Sequence, residues 1–254
     1  MDIAATEPLL TERRGAIAWV TLNRPRTRNA LSTEMMTAIE AALADARDAR
    51  VVVIAGNGPG FCGGHDLREM RARPTAAFQA ALFAQCSRMM QAIANHPAPV
   101  IASVHGIATA GGCQLVAACD LAIAADDARF ATSGVNLGLF CSTPGVALAR
   151  AVPRKAALAM LLTGDFVPAS EALAMGLVNR VVPAAELATA TMALAEKIAA
   201  KERCAIEIGK RTFYRQIEAP LARAYAIATE AMVENMMAPE TTAAIDAFIN
   251  RPRS

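Results

Sequence analysis

Three short runs of this chain are apolar at almost every position: VVVIAG at residues 51–56, PVIASVHG at 99–106 and LAIAAD at 121–126. A half-exposed strand alternates apolar and polar side chains, so unbroken apolar runs of this length signal strands covered on both faces. Helical patterns lie between them. Ser32 is placed to cap a helix carrying Met35, Ile39, Leu43 and Ala46 on one face, and a second helical stretch covers about 75–95, stopping at Asn95-His96-Pro97. AIAWVTLNRP at 16–25 alternates and reads as a further strand ending at Pro25. The glycine pair Gly111-Gly112 opens a short helix, CQLVAACD. The alternation continues to about residue 165, after which helical patterns dominate, with candidates at 170–175, 184–200 and 219–237. The expected fold class is therefore α/β, with a core over residues 1–200 and a helical C-terminal region over 201–254.

A chain of 254 residues that is 54% hydrophobic can bury one large core. Its 25 basic and 23 acidic residues are scattered and nearly balanced, which gives no electrostatic footprint for nucleic acid. Aromatic residues, at 4%, offer few platforms for stacking bases. No apolar stretch long enough to cross a bilayer escapes interruption by Gly, Pro or charge, so no membrane partner is expected. The opening MDIAATEPLLTERRG lacks a basic segment followed by an apolar one, and the six cysteines show no paired CxxC spacing. Both features lead to the expectation of a cytoplasmic protein whose thiols fill a core. Neither metal-ligand clusters nor Ser/His/Asp triad spacing occur, and no metal or separate cofactor is expected.

The run GNGPGFCGGHDL follows the first buried strand. Glycines there signal tight turns or a backbone brought close to something. A phosphate cradle fits poorly, because there is no GK[ST] and no clean GxGxxG opening a helix. A different use is an amide, that of His65, aimed at developing negative charge. Such charge is best held by two donors, one of them often at a helix N-terminus. HGIATAGGCQLVAACD supplies the second, with Gly111 where a strand gives way to a helix. Two glycine-lined turns after two buried strands make a plausible oxyanion hole.

NRPRTRNAL (23–31), FCGGHDL (61–67), HGIATAGGCQLVAACD (105–120) and ASEALAMGLVNRVVP (169–183) together resemble the crotonase, or enoyl-CoA hydratase/isomerase, superfamily, in order and with its spacing. GVNLGLFCSTPGVALARAVPRK (134–155) is similar to one branch of it. The resemblance implies a spiral of ββα turns, a helical C-terminal region for trimerisation, and an acyl-CoA thioester as partner, with coenzyme A as part of the substrate. It also implies a homotrimer or dimer of trimers. The oxyanion donors would be the backbone N–H groups of His65 and Gly111. His65, Asp66, Leu67 and Arg68 would line the coenzyme A arm, with Arg26 also contacting substrate. Phe248 and Arg251, in the ending AFINRPRS, would reach adenine or phosphate in a neighbouring site. His65 would then matter through its backbone, its imidazole a bystander, and Asp66 would cap the following helix.

The chain departs from that pattern in its acid/base chemistry. Hydration across a double bond needs a base for water and an acid for the α-carbon, which crotonases supply as two glutamates. The corresponding positions are Gln114 and Gly134, and no Asp or Glu occurs between Ala128 and Arg150. Asn136, Cys141 and Ser142 stand where other members place a carboxylate. Cys141 alone among them titrates near neutrality and otherwise reads as a small buried hydrophobe. His105, ending a strand, reads as structural. Three readings stay open: a hydratase/isomerase-type enzyme with altered proton transfer, a decarboxylase of malonyl-type thioesters, and a non-catalytic acyl-CoA-binding protein.

Overall fold

The computed structural model describes residues 7–250. In chain order, the strands are β1 Leu9–Arg14, β2 Ile17–Leu22, β3 Val51–Gly56, β4 Val100–Val104, β5 Ile107–Thr109, β6 Leu121–Ala125, β7 Arg129–Ala131, β8 Val167–Pro168 and β9 Arg180–Val182. The helices of the core are α1 Thr33–Asp45, α2 Leu67–Ala72, α3 Ala76–Ala94, α4 Gly111–Ala118, α5 Ser142–Ala151, α6 Arg154–Thr163, α7 Ala169–Ala174 and α8 Leu187–Ala199. Three more follow: α9 Arg203–Ile217, α10 Leu221–Met236 and α11 Pro239–Ile249.

The main sheet has the order β1-β2-β3-β4-β6-β9, antiparallel only between β1 and β2. Its central strands β3 and β4 are buried at every residue but Gly56, as their unbroken apolar runs require. Side chains alternate between two covers. Val52, Ile54, Val100, Ala102, Ala122 and Ala124 face the large core beneath α1, α3 and α4. Val51, Val53 and Ile101 face the opposite side, where Ala195 of α8 packs. Each valine or isoleucine among them, fully withdrawn from water, contributes about 1.5–3 kcal/mol.

A smaller sheet has the order β5-β7-β8. The chain passes from β4 to β5 through Gly106, and from β6 to β7 through Asp126-Asp127, then enters a helix each time. Each circuit is a ββα turn. The turn after β3 follows the same course, since Cys62 makes a parallel bridge to Ala108 although it belongs to no full strand.

Sequence periodicity missed α5, α6, α9 and α11. Residues 142–163 form two short helices where a continued strand-helix alternation was expected. Among the described residues no strand follows Val182, α9 and α11 bury no residue, and α10 buries only Ile227. Their apolar side chains do not face this core, which is why a core-facing stripe did not reveal them. No helix among the described residues is long and apolar enough to cross a membrane.

Candidate functional site

Strand register brings the two glycine turns together. Cys62 pairs with Ala108, and Ala108 with Phe130, so these residues stand side by side on successive turns of the spiral. Three residues further along each turn come His65, Gly111 and Ser133, and all three line one cavity of about 510 Å³.

The amide of His65 is left out of the local ladder. Leu31 N donates to Gly64 O at 2.7 Å and Asp66 N donates to Leu31 O at 3.3 Å, so in this parallel bridge residue 65 turns its own N–H away from Leu31. Gly111 opens α4, whose first-turn amides have no helical acceptor. Ala110 before it is held at φ 48° and ψ −114°, a left-handed conformation that a residue with a Cβ adopts only under constraint. Its own N–H is bonded to Ala131 O at 2.8 Å. Gly64, at φ +87°, sits so close that a Cβ would lie 2.9 Å from Thr109 O and 3.1 Å from Gly111 N. Only glycine permits the two turns to approach in this way.

Asn29 fixes the outer side of the loop. Fully buried and in left-handed conformation at φ 54°, it shares its amide N–H groups among Asn57 O, Gly60 O and Phe61 O at 3.0–3.1 Å. Its side-chain oxygen accepts from Arg24 N at 2.8 Å. Asp66 caps α2 as expected, accepting from Arg68 N at 2.9 Å and Glu69 N at 3.1 Å.

The cavity is largely apolar, with Leu67, Met70, Phe83, Leu137, Leu139 and Phe140 in its walls and no Asp or Glu. A second groove of about 290 Å³ carries Arg26, Arg28 and Arg68 and shares Gly63, His65 and Leu67 with the first. The anticipated residues His65, Asp66, Leu67, Arg68 and Arg26 thus gather around one seam. The Nε2 atom of His65 is buried without a hydrogen-bond partner, and the ring meets Phe83 edge-on at 5.4 Å. Burial holds its pKa below the usual value, opposed by the charge of Glu69.

Other anticipated residues lie elsewhere or differ in character. Gln114 is buried and does not line the cavity; Cys86 Sγ stands 3.8 Å from its Oε1. Gly134 does line it, but the position is not vacant. A Cβ there would lie 2.4 Å from Leu139 O and 2.8 Å from Cys141 Sγ. Cys141 lines the cavity with Ser142, and burial raises its pKa, only partly offset by a hydrogen bond from the Gly134 backbone. It is therefore not the group titrating near neutrality that the sequence suggested. Asn136 lines neither cavity, and His105 Nε2 bonds Gly58 O at 2.8 Å, a structural role. Phe248 lies on α11 away from both cavities, and Arg251 lies outside the described residues. Asn29, Arg71, Phe83 and the 137–140 segment were not singled out; the signals available were the placement of Asn29 within NRPRTRNAL and of 137–140 within the 134–155 stretch.

A ββα spiral whose successive turns deliver two unbonded amides to the wall of one apolar cavity defines a crotonase-type protein. The chain belongs to the enoyl-CoA hydratase/isomerase family, which it matches over residues 12–253. It is 47% identical over 251 residues to human enoyl-CoA hydratase domain-containing protein 3, mitochondrial, covering 97% of this chain and 83% of that protein. The crystal structure of the human protein superimposes with a TM-score of 0.92 at 46% identity, covering 97% of this chain and all 100% of the other. An enoyl-CoA hydratase from Mycobacterium smegmatis superimposes with a TM-score of 0.94 at 52% identity, covering 97% and 98%. The human, mouse and rat relatives are all named mitochondrial, which overturns the cytoplasmic expectation drawn from the N-terminal residues and the cysteines.

Proposed function

We propose that the protein binds acyl-CoA thioesters with the thioester oxygen between the amides of His65 and Gly111, the acyl group in the apolar cavity and the coenzyme A arm along the arginine-bearing groove. The observation that carries this reading is the shared register: two unbonded amides three residues beyond paired positions, at the seam where both cavities share residues. The positive end of α4 adds to the field at Gly111. Two preorganised donors suit a thioester enolate, each contributing roughly 3 kcal/mol in comparable sites.

Hydration of a double bond is a poor fit, because the cavity holds no carboxylate to activate water or protonate the α-carbon. The same donors would serve a reaction that generates the enolate without a base, such as loss of carbon dioxide from a malonyl-type thioester. Coenzyme A enters as part of the substrate. The exposed apolar residues of α10, including Leu221, Tyr225 and Met232, support assembly as a homotrimer or a dimer of trimers.

The test is calorimetry with butyryl-CoA against Gly111→Val. A Cβ at 111 would already sit 3.1 Å from Leu31 Cδ1 and 3.2 Å from His65 Nδ1, so valine displaces the ring and crowds both donors. Affinity should fall at least tenfold, equivalent to about 1.4 kcal/mol. A folded variant that binds as well as the parent would remove the oxyanion assignment.

A further inference from the structure

The acyl cavity has one charged side chain in its wall, Arg71, and no acid. Arg71 lies on α2, beside a carboxylate that is already committed. Glu69 accepts from Arg73 at 2.6 Å and from Thr33, through both its N and Oγ1, at 2.9 Å and 2.6 Å. Among the described residues Arg71 makes no ion pair or hydrogen bond, and the residue is exposed, so its five donors are open to a ligand at the cavity. Ser142 and Thr143 line the same cavity.

A purely alkyl acyl chain makes no use of this arrangement. Laid against Arg71, it would strip water from a guanidinium and return no hydrogen bond. A carboxylate would instead meet a planar fork able to hold it through two parallel bonds. The absence of acid from the wall bears on the same point from another side. A carboxylate in the cavity wall would repel a second negative charge, and this wall holds none.

We infer that this cavity selects an acyl-CoA thioester whose acyl group carries a second, terminal carboxylate, received by Arg71. The inference rests on the acyl-CoA reading above and narrows it to dicarboxylic acyl groups.

Malonyl-, succinyl- and glutaryl-CoA, each compared with a methyl-terminated thioester of matching length, would test it by calorimetry on the intact protein. At least one dicarboxylic thioester should bind about tenfold or more tightly than its methyl-terminated match. Arg71→Met should erase that preference, while Arg71→Lys should keep part of it. Arg68→Gln, altering the coenzyme A groove, should weaken both classes by a similar factor, which separates acyl selection from general attraction of anions. Denaturation midpoints of the three variants report whether each is folded. Equal or weaker binding of every dicarboxylic thioester, or a preference that survives in Arg71→Met, would overturn the inference and leave the acyl-CoA reading standing. Failure of every thioester to bind the parent protein would overturn both.

Discussion

Asn29 carries more of the loop than any charged residue near it. Its side chain closes on three carbonyls of the 57–61 segment and on Arg24 N, and its left-handed backbone suits asparagine far better than alanine. Asn29→Ala would leave buried carbonyls without donors and strain the backbone, so it should cost about 2–4 kcal/mol in urea denaturation. It should also weaken acyl-CoA binding, because the His65 turn loses its anchor. Gly134 shows the limit of reading single residues. From sequence alone its lack of a side chain suggests an empty acid position, yet the space is filled by Leu139 O and Cys141 Sγ, which reach it only because the 133–137 turn folds back. Gly134→Glu should therefore destabilise the protein by about 1–3 kcal/mol rather than restore a catalytic acid. Gln114→Glu alone should add no crotonyl-CoA hydration, since a carboxyl buried beside Cys86 would favour its neutral form and make a weak base. Robust hydration in either variant, or in the parent, would show that a proton-transfer group has been overlooked.

At the scale of elements, the buried strands, α1 and α3 were legible because each presents an apolar face to one core at its own period, and α4 was legible from its glycine pair. The approach of the two glycine turns was legible in residue type but not in distance, which depends on the Cys62–Ala108 bridge between turns 46 residues apart. One side-chain joint between elements carries a pH signature. His96, after α3, reaches Leu43 O near the end of α1 through Nε2 at 3.1 Å, while its Nδ1 lies 3.1 Å from Ala98 O and 3.2 Å from Ala98 N. Burial lowers the pKa of both His96 and His65 from 6.5, outweighing the carbonyls at the His96 ring, and so favours the neutral rings. The unfolded chain then binds protons more readily than the folded one as pH falls through about 6.5. Stability from these rings is present above that pH and is lost below it. The urea midpoint should drop between pH 7.5 and pH 5.5, and His96→Gln should flatten part of the drop. A midpoint that rises on acidification would contradict the neutral-ring assignment.

For the whole molecule, the question is how a core built around one sheet holds three helices that bury almost nothing in it. The joint lies at Asp120, between α4 and β6. Lys210 of α9 donates to Asp120 Oδ2 at 2.6 Å and to the carbonyls of Ile93 and Ala98 at 3.1 Å, while Tyr214 donates to Asp120 Oδ1 at 2.8 Å. With side-chain exposures of only 8% and 13%, this ion pair is nearly dry. Breaking one partner of such a pair strands the other charge, at a cost of about 3–5 kcal/mol. None of this was legible in the sequence, where Asp120 and Lys210 stand 90 residues apart with no shared motif. Asp120→Ala should therefore loosen α9 from the core, and with it the exposed Tyr225, Met232 and Val233 of α10 that a trimer would cover. Light scattering at micromolar concentration should give a trimeric or hexameric mass for the parent and a smaller mass for Asp120→Ala, with a lower denaturation midpoint in the same sample. Because Asp120 lines neither the acyl cavity nor the coenzyme A groove, any loss of thioester affinity in that variant should track the loss of assembly as protein concentration is varied. A parent protein that is monomeric in solution would remove the assembly role of α9–α11, and an Asp120→Ala variant with unchanged mass and midpoint would remove the joint.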